Sequence, residues 1–266
     1  MNIIVCVKQV IDPEMPPASF KIDSSTNKAV FPPNISPVID PYAEYAVEAA
    51  LKIKDTQGGK ITIISLGINQ LRDVIKKPLS MGADELVLLE DNAFDNGDSW
   101  STAYALAMAI KKIGNYDLVL CGREASDWNA GQVGLGIAEL LSLPSVTLAK
   151  KIDVINGKIK VERVIADGYE VIEAPLPCLV TVSNEIGAPR YPTIKGIMSA
   201  RKIEPIIWKP ADINVEPSQV GAAGRHTKIL KLFQQVHEGK CEIITGESFE
   251  EAATNLALRL REVKIL

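Results

Sequence analysis

Short apolar runs rich in β-branched residues alternate with longer segments of helical periodicity through the first half of this chain. Apolar runs that polar turns interrupt are typical of strands buried on both faces of a parallel sheet. Strand, helix and strand in repetition imply right-handed crossovers and helices on both sides of the sheet. The predicted strands are residues 3–7, 60–66, 85–90 and 117–121.

Three helices are predicted between these strands. The first starts at Pro41 with Asp40 as its N-cap, because a proline at the first helical position and a carboxylate before it both suit a helix start. The second covers about residues 70–81. The third begins after Asp98-Ser99, runs through residues 100–113 and stops at Gly114.

The pattern changes after Pro144. Residues 145–155, 158–165 and 169–173 read as a meander with hairpin turns, and residues 177–182 as one more buried strand. The expected fold class is therefore α/β, a Rossmann-like, mainly parallel sheet that carries an antiparallel edge. Residues 1–204 would form this domain. Residues 205–266 would form a C-terminal arm, whose amphipathic helix at 248–263 needs another surface to cover its apolar stripe.

Composition excludes several classes of function. The chain has 29 basic and 33 acidic residues, a formal net charge of −4, which argues against a protein that binds nucleic acid through a basic face. Its start reads as a strand and not as a signal peptide, and no apolar run is long enough for a membrane helix, so we expect a soluble cytoplasmic protein.

The cysteines and histidines predict no metal site. The four cysteines lack metal-ligand spacing, and three of them lie in apolar runs, so reduced buried thiols are expected. His226 and His237 are expected at the surface.

The stretch from Gly122 to Gly134 is the most informative one for function. A strand ends at Gly122, a polar loop follows and a helix starts near Gly131, so unpaired backbone amides would face the carboxyl edge of the sheet, where ligands bind. Such amides attract phosphate. The same glycines could instead allow close packing of helix on strand, and both interpretations stay open. The G-x-G-x-x-G fingerprint of dinucleotide-binding loops is absent after the first strand. A bound nucleotide would therefore be held by several loops at once.

Motifs along nearly the whole chain resemble the beta subunit of electron-transferring flavoproteins. Pro189-Arg190-Tyr191 leading into Ile194 and Met198 is the most specific of them. The others are Val5-Cys6-Val7-Lys8-Gln9-Val10, Asp40-Pro41-Tyr42, Ser65-Leu66-Gly67, Met81-Gly82-Ala83-Asp84 and the loop from Gly122 to Gly134. The chain departs from the usual family loop at Glu124, Ser126, Trp128 and Asn129. It also has Ile165 and Ala166 where the family places an acidic residue.

The resemblance implies a heterodimer with a larger alpha subunit, in which this chain holds an adenine nucleotide. Within the phosphate loop, Gly131, Gln132 and Val133 would contact the phosphates. The residues that the resemblance assigns to the nucleotide are Cys6, Lys8, Asp40, Ser65, Leu66, Gly67, Asp98, Ser99, Trp100, Thr102, Gly122, Arg123, Asp127, Gly131, Gln132, Val133 and Gly134.

The identity of the nucleotide depends on the subgroup. Respiratory-type members hold AMP as a structural filler, whereas the anaerobic, bifurcating members hold a second FAD that takes hydride from NADH. Gly97-Asp98-Ser99-Trp100 resembles the Gly-Asp-Thr-Trp signature of the bifurcating type, which favours FAD. The same residues could merely form an N-cap.

The resemblance also implies the electron partners. One electron would pass to ferredoxin and the other to the FAD of the alpha subunit, then onward to an acyl-CoA or enoyl-CoA dehydrogenase or reductase. The flavin supplies this chemistry, so no catalytic side chain is expected. Pro189, Arg190, Tyr191, Ile194 and Met198 would form a docking loop with Ile194 as an apolar plug. The alternatives are a non-bifurcating scaffold with AMP and a universal-stress-like nucleotide-binding regulator.

Overall fold

The computed structural model describes residues 1–30, 32–234 and 241–265. The chain divides into two compact units, Met1–Leu230 and Lys231–Leu266. His237 lies outside the described residues. The predicted domain boundary after residue 204 stays a prediction about the assembled protein.

The described part of the first unit contains thirteen strands. In chain order they are β1 Asn2–Val7, β2 Gln9–Val10, β3 Lys21–Asp23, β4 Lys28–Val30, β5 Val38–Ile39, β6 Lys60–Leu66, β7 Glu85–Leu89, β8 Leu118–Gly122, β9 Ser145–Ile155, β10 Lys158–Ile165, β11 Gly168–Pro175, β12 Cys178–Val182 and β13 Ile206–Trp208. All four strands predicted for the parallel core and the three of the meander are confirmed.

Eight α-helices lie within the described residues, the last of them in the second unit. They are α1 Pro41–Gln57, α2 Arg72–Ile75, α3 Lys77–Met81, α4 Ser99–Ile113, α5 Val133–Leu140, α6 Ile194–Lys202, α7 Gly221–Gly224 and α8 Phe249–Glu262. Asp40 caps α1 and Asp98 caps α4, as the sequence predicts. Every described residue of α8 is at least partly exposed.

Nine of the described strands form one sheet in the order β11-β10-β9-β12-β8-β1-β6-β7-β13. The strands from β9 to β13 in this order run parallel, and β9, β10 and β11 form the antiparallel edge. The fold is therefore α/β with a mainly parallel sheet, as expected. The chain moves from β1 to one side of the sheet and later returns to β8 on the other, which creates a switch point between β1 and β8 where ligands of such sheets bind.

Alternate residues of the core strands face two apolar layers. Ile3 and Val5 pack on the side that α1 covers. Ile4 packs on the side that α4 and α5 cover, and the partly buried Cys6 contacts the same layer. The period of two that the strands impose thus sends Cys6 toward the start of α5.

One prediction about this unit is wrong. The single helix expected over residues 70–81 is split into α2 and α3, because Pro78 donates no hydrogen bond to the preceding turn and restricts the residue before it. Within the segment expected as a C-terminal arm, residues 205–266, β13 pairs in parallel with β7. The short pairs β2-β5 and β3-β4 were not predicted.

Candidate functional site

The carboxyl ends of β1, β6 and β8 meet the starts of α4 and α5 at one edge of the sheet. Cys6 lies beside Cys121 in the parallel register of β1 and β8. A hydrogen bond with Cys121, together with burial, raises the pKa of the Cys6 thiol well above its ordinary value. The Cys6 thiol is therefore protonated in the floor of the switch point, and both cysteines are free thiols.

The loop that follows β8 is fastened to its neighbours by two carboxylates. Asp40 is 1% exposed, and its Oδ1 accepts a hydrogen bond from the Ser126 backbone N–H at 2.7 Å. Its Oδ2 accepts one from the Ala43 N–H at 3.0 Å, which caps α1. Lys8 Nζ lies 2.6 Å from Asp127 Oδ2. Asp40 therefore positions the loop from within the protein, while Lys8 and Asp127 form an exposed ion pair of small energetic weight.

The start of this loop requires a glycine. A Cβ on Gly122 would lie 2.7 Å from the backbone carbon of Tyr42, so only glycine lets α1 approach the strand end this closely. The next residue, Arg123, places its guanidinium 4.8 Å from the centre of the Tyr42 ring and 2.7 Å from a Glu124 oxygen. Arg123 is thus already engaged by its own loop.

α5 begins at the end of the loop with its backbone amides open. Gly131 has a φ of +63°, a conformation that favours glycine, and none of the described side chains caps the helix at Gln132. A Cβ on Gly134 would lie 3.1 Å from Thr181 Cγ2 and 3.4 Å from Cys121 Cβ. Glycine therefore allows close packing here, and the helix start keeps unpaired donors. The close packing is therefore observed, whereas phosphate binding at these amides stays a prediction.

The residues after β6 are partly used by the protein itself. Ser65 is buried, and its hydroxyl donates to Gln70 Oε1 at 2.7 Å. Gln70 in turn donates to the Gly67 carbonyl at 3.1 Å. Leu66 packs against the apolar layer under α4 and α5. This turn lies at the same carboxyl edge and offers backbone and apolar surface, not a free hydroxyl.

Asp98 is saturated by donors from its own chain. Its Oδ1 accepts from the Ser101 N–H at 3.0 Å, and the Ser101 hydroxyl accepts from the Asp98 N–H at 3.1 Å, which completes a capping box. Its Oδ2 accepts from the backbone N–H groups of His226 and Thr227 at 2.7 and 2.9 Å. Although burial opposes ionisation, these hydrogen bonds lower the pKa of Asp98 to about 2.

The first turn of α4 exposes an aromatic side chain. Trp100 is 42% exposed and stacks on His226, with ring centres 5.1 Å apart and ring planes 18° apart. The two rings border a cavity of about 270 Å³ that Tyr104 and Arg225 also line. Ser99 is the first residue of α4, and Thr102 follows in the same turn. His226 is exposed, as predicted.

The predicted docking segment lies on the other side of the sheet, and the interpretation of residues 189–198 as a loop is wrong for its second half. Ile194 and Met198 belong to α6, which Thr193 caps through the Gly196 N–H at 2.9 Å. Two prolines and a glycine concealed this helix in the sequence, although the Thr193 cap was a readable signal. Tyr191, Ile194 and Met198 are 93%, 80% and 61% exposed. Pro189 and Arg190 precede them.

Three site features escaped sequence reasoning. Tyr42 contacts both Gly122 and Arg123. The Ser126 Oγ is buried and finds no hydrogen-bond partner among the described residues. The contact of Asp98 with residues 226 and 227 joins segments far apart in sequence, and no local pattern announces it.

Within residues 1–30, 32–234 and 241–265, no group of three or more His, Cys, Asp or Glu side chains converges as metal ligands would. No helix within these ranges has the length and apolar composition for crossing a bilayer.

Comparison with known proteins identifies the family. The model of the electron transfer flavoprotein domain matches residues 35–213. The electron transfer flavoprotein subunit beta of Thermoanaerobacterium thermosaccharolyticum is 40% identical over 267 residues, and the alignment covers 100% of both chains. The caffeyl-CoA reductase-Etf complex subunit CarD of Acetobacterium woodii is 39% identical, again over 100% of both. Protein FixA of Azorhizobium caulinodans is 35% identical over 97% of this chain and 92% of its own.

These matches span the loop from Gly122 to Gly134, the carboxyl edge of the sheet and the α6 region together. They decide against a universal-stress-like regulator, and a beta subunit implies an alpha-subunit partner. The chain belongs to the electron transfer flavoprotein family, as one of its beta subunits.

Proposed function

We propose that this chain holds FAD at the carboxyl edge of its sheet as the beta subunit of an electron-bifurcating flavoprotein. When bound, the flavin would take hydride from NADH and release the two electrons singly, one to ferredoxin and one to the FAD of the alpha subunit, which supplies an acyl-CoA or enoyl-CoA dehydrogenase or reductase. The relative CarD, named as part of a caffeyl-CoA reductase-Etf complex, supports this subgroup.

The observation that carries the nucleotide site is the open start of α5. Unpaired amides and the positive end of the helix dipole favour a phosphate group, and the described side chains leave this helix without a cap. Gly134 lets the helix start pack closely on Thr181 and Cys121, so the open amides lie directly over the strand ends. The buried, unpartnered hydroxyl of Ser126 belongs to the same loop, and a bound nucleotide would satisfy it. The residues present therefore fit the phosphate group of a nucleotide.

The protein contributes position and environment. Asp40 fixes the loop, Cys6 and Leu66 provide an apolar floor, and Gln132 and Val133 present amides. No side chain needs to act as nucleophile or general base in this proposal.

One observation favours the alternative, a non-bifurcating subunit that holds AMP as a scaffold. Both carboxylate oxygens of Asp98, the signature residue of the bifurcating type, already accept hydrogen bonds from this chain. Asp98 then has a sufficient structural role without a flavin.

Nucleotide extraction separates the two candidates. The heterodimer with its alpha subunit is purified, denatured and analysed by mass spectrometry and visible absorbance. We expect FAD from each subunit, and ferredoxin reduction that depends on NADH. One FAD with AMP would establish the scaffold alternative, and a colourless heterodimer without any adenine compound would contradict both.

The exposed face of α6 is the proposed surface for the dehydrogenase. Ile194, Ile197 and Met198 recur at positions three and four apart and form an apolar stripe, the docking face. Burial of one such side chain is worth about 1.5–3 kcal/mol, so a partner that covers Ile194 gains affinity. We further propose that the C-terminal arm, with α8, packs on the alpha subunit, because Phe249 is 94% exposed.

A further inference from the structure

A row of charged residues on α1 holds the segment that leads into α6. Glu48 is only 4% exposed, and its carboxylate accepts hydrogen bonds from the Arg190 backbone N–H at 3.0 Å and from Arg190 Nε at 2.9 Å. Arg190 Nη2 reaches the other Glu48 oxygen at 3.1 Å and Asp55 at 2.8 Å. Arg190 is thus held by its backbone N–H and by two nitrogens of its guanidinium, Nε and Nη2.

The same face of α1 holds the other end of this segment. Lys52 lies one turn after Glu48, and its Nζ donates to the Ile186 carbonyl at 2.7 Å. The hydrogen bonds with Glu48, the largest cause, and with Asp55 raise the pKa of Arg190 above its ordinary value. The guanidinium is therefore permanently charged. A bidentate pair with a buried carboxylate fixes direction as well as distance.

α6 itself is closely packed on α3. A Cβ on Gly196 would lie 2.2 Å from the Ser80 carbonyl oxygen, so the helix backbone touches that turn. Ala200, a residue of α6, is buried in the apolar layer that α1 covers. Because one side of α6 packs on α3 and the preceding Arg190 is bound to Glu48, the docking face of α6 is held in one orientation.

We infer that Glu48 is a positioning residue for partner docking, an inference that rests on the proposed role of α6. By binding Arg190, Glu48 orders the docking face in the free protein. The entropy cost of ordering this segment is then not part of the cost of binding the dehydrogenase. Glu48 contacts neither the nucleotide loop nor the docking face. Its effect is therefore expected in the KM for the dehydrogenase and not in kcat.

The test uses the heterodimer with Glu48→Gln, which keeps the side-chain shape and removes the charge. Hydrogen exchange of the α6 amides should rise about tenfold, which corresponds to losing preorganisation, while exchange in the strands of the sheet and nucleotide content stay at the wild-type level. Arg190→Lys, which loses the planar fork but keeps the charge, should give a smaller rise. Asp55→Asn, at a side chain 57% exposed, is the matched control and should change exchange by less than about twofold.

A second readout links position to function. With an acyl-CoA dehydrogenase titrated as electron acceptor, Glu48→Gln should raise the KM for the dehydrogenase about tenfold and leave kcat within about twofold. Ile194→Ala, which removes the docking contact itself, should also raise this KM but leave α6 exchange unchanged.

The contradicting outcomes are distinct. Wild-type exchange of α6 in Glu48→Gln overturns the positioning role. Faster exchange with an unchanged KM overturns it as well, provided that Ile194→Ala raises the KM. If Ile194→Ala also leaves the KM unchanged, the proposed docking surface fails and the inference fails with it.

Discussion

Two helices, α4 and α5, start at the same edge of the sheet, but only α4 has a side-chain cap at its N-terminus. α4 starts with a capping box, and the capping carboxylate of Asp98 also holds the backbone of His226 and Thr227. α5 starts after two residues, Gly131 and Gln132, that provide no side-chain cap, and none of the other described side chains replaces one.

The difference teaches which helix start is available to a phosphate. A negative group at α4 would meet a carboxylate that is ionised at any physiological pH, because the pKa of Asp98 is about 2. A negative group at α5 would meet amides and a favourable dipole. We therefore propose that the phosphates bind at α5 and that the cap of α4 has a structural role.

The largest expected effect comes from filling the space under α5. Gly134→Val would force methyl groups into Thr181 and Cys121, and overpacking of this kind costs about 1–3 kcal/mol. We expect urea denaturation to show a free energy of unfolding lowered by this amount, and we expect the variant to lose its bound nucleotide. Leu135→Val, at a neighbouring side chain 43% exposed, is the control and should change neither quantity. Full nucleotide content in Gly134→Val would break the assignment to α5.

Removing the cap of α4 should give the next largest effect. Asp98→Ala loses the N-cap and the anchor of residues 226 and 227, and we expect about 2 kcal/mol of destabilisation in denaturation experiments. Nucleotide content should remain at the wild-type level. A loss of nucleotide in a variant that remains folded would show that Asp98 binds the ligand after all.

The pH dependence of the same residue sharpens the contrast. The folded pKa of Asp98 is about 2 against an ordinary 3.8, so its stabilisation is complete above about pH 4 and disappears as pH falls toward 2. Denaturation curves across this window should show a smaller acid loss for Asp98→Asn than for wild type. Equal slopes would contradict the hydrogen bonds assigned to the carboxylate.

The smallest effect is expected at the stacked rings. Trp100→Ala should cost about 1 kcal/mol, because it removes the stacking on His226 from a half-exposed site. Trp100→Phe should retain most of this stability. A large loss of flavin in Trp100→Ala, with stability nearly unchanged, would instead assign the ring to ligand binding.

The local parts of this fold were readable from sequence because their signals lie within a few residues. Asp40-Pro41 marked α1, the hairpin pattern after Pro144 marked the β9-β10 pair, and Asp98 marked α4. The amphipathic pattern also gave α8. Each signal is a cap, a turn or a period that the chain carries in one place.

The parts that were missed depend on distant partners. β13 is three residues long and becomes a strand only by pairing with β7. The grip of Asp98 on residues 226 and 227 and of Glu48 on Arg190 joins positions more than a hundred residues apart. Local sequence propensities carry no information about such contacts. The hydrogen bonds of Asp98 to residues 226 and 227 could therefore not be predicted from its capping motif.

The most direct test gives α5 the kind of cap that α4 has. Gln132→Asp places a carboxylate where the phosphates are expected, while Gln132→Asn is the uncharged control. We expect Gln132→Asp to remain as stable as wild type, because an acidic residue suits a helix N-terminus, yet to lose about tenfold or more in nucleotide affinity. If Gln132→Asp retains wild-type affinity and Asp98→Asn loses it, the phosphates bind at α4 and the central claim is wrong.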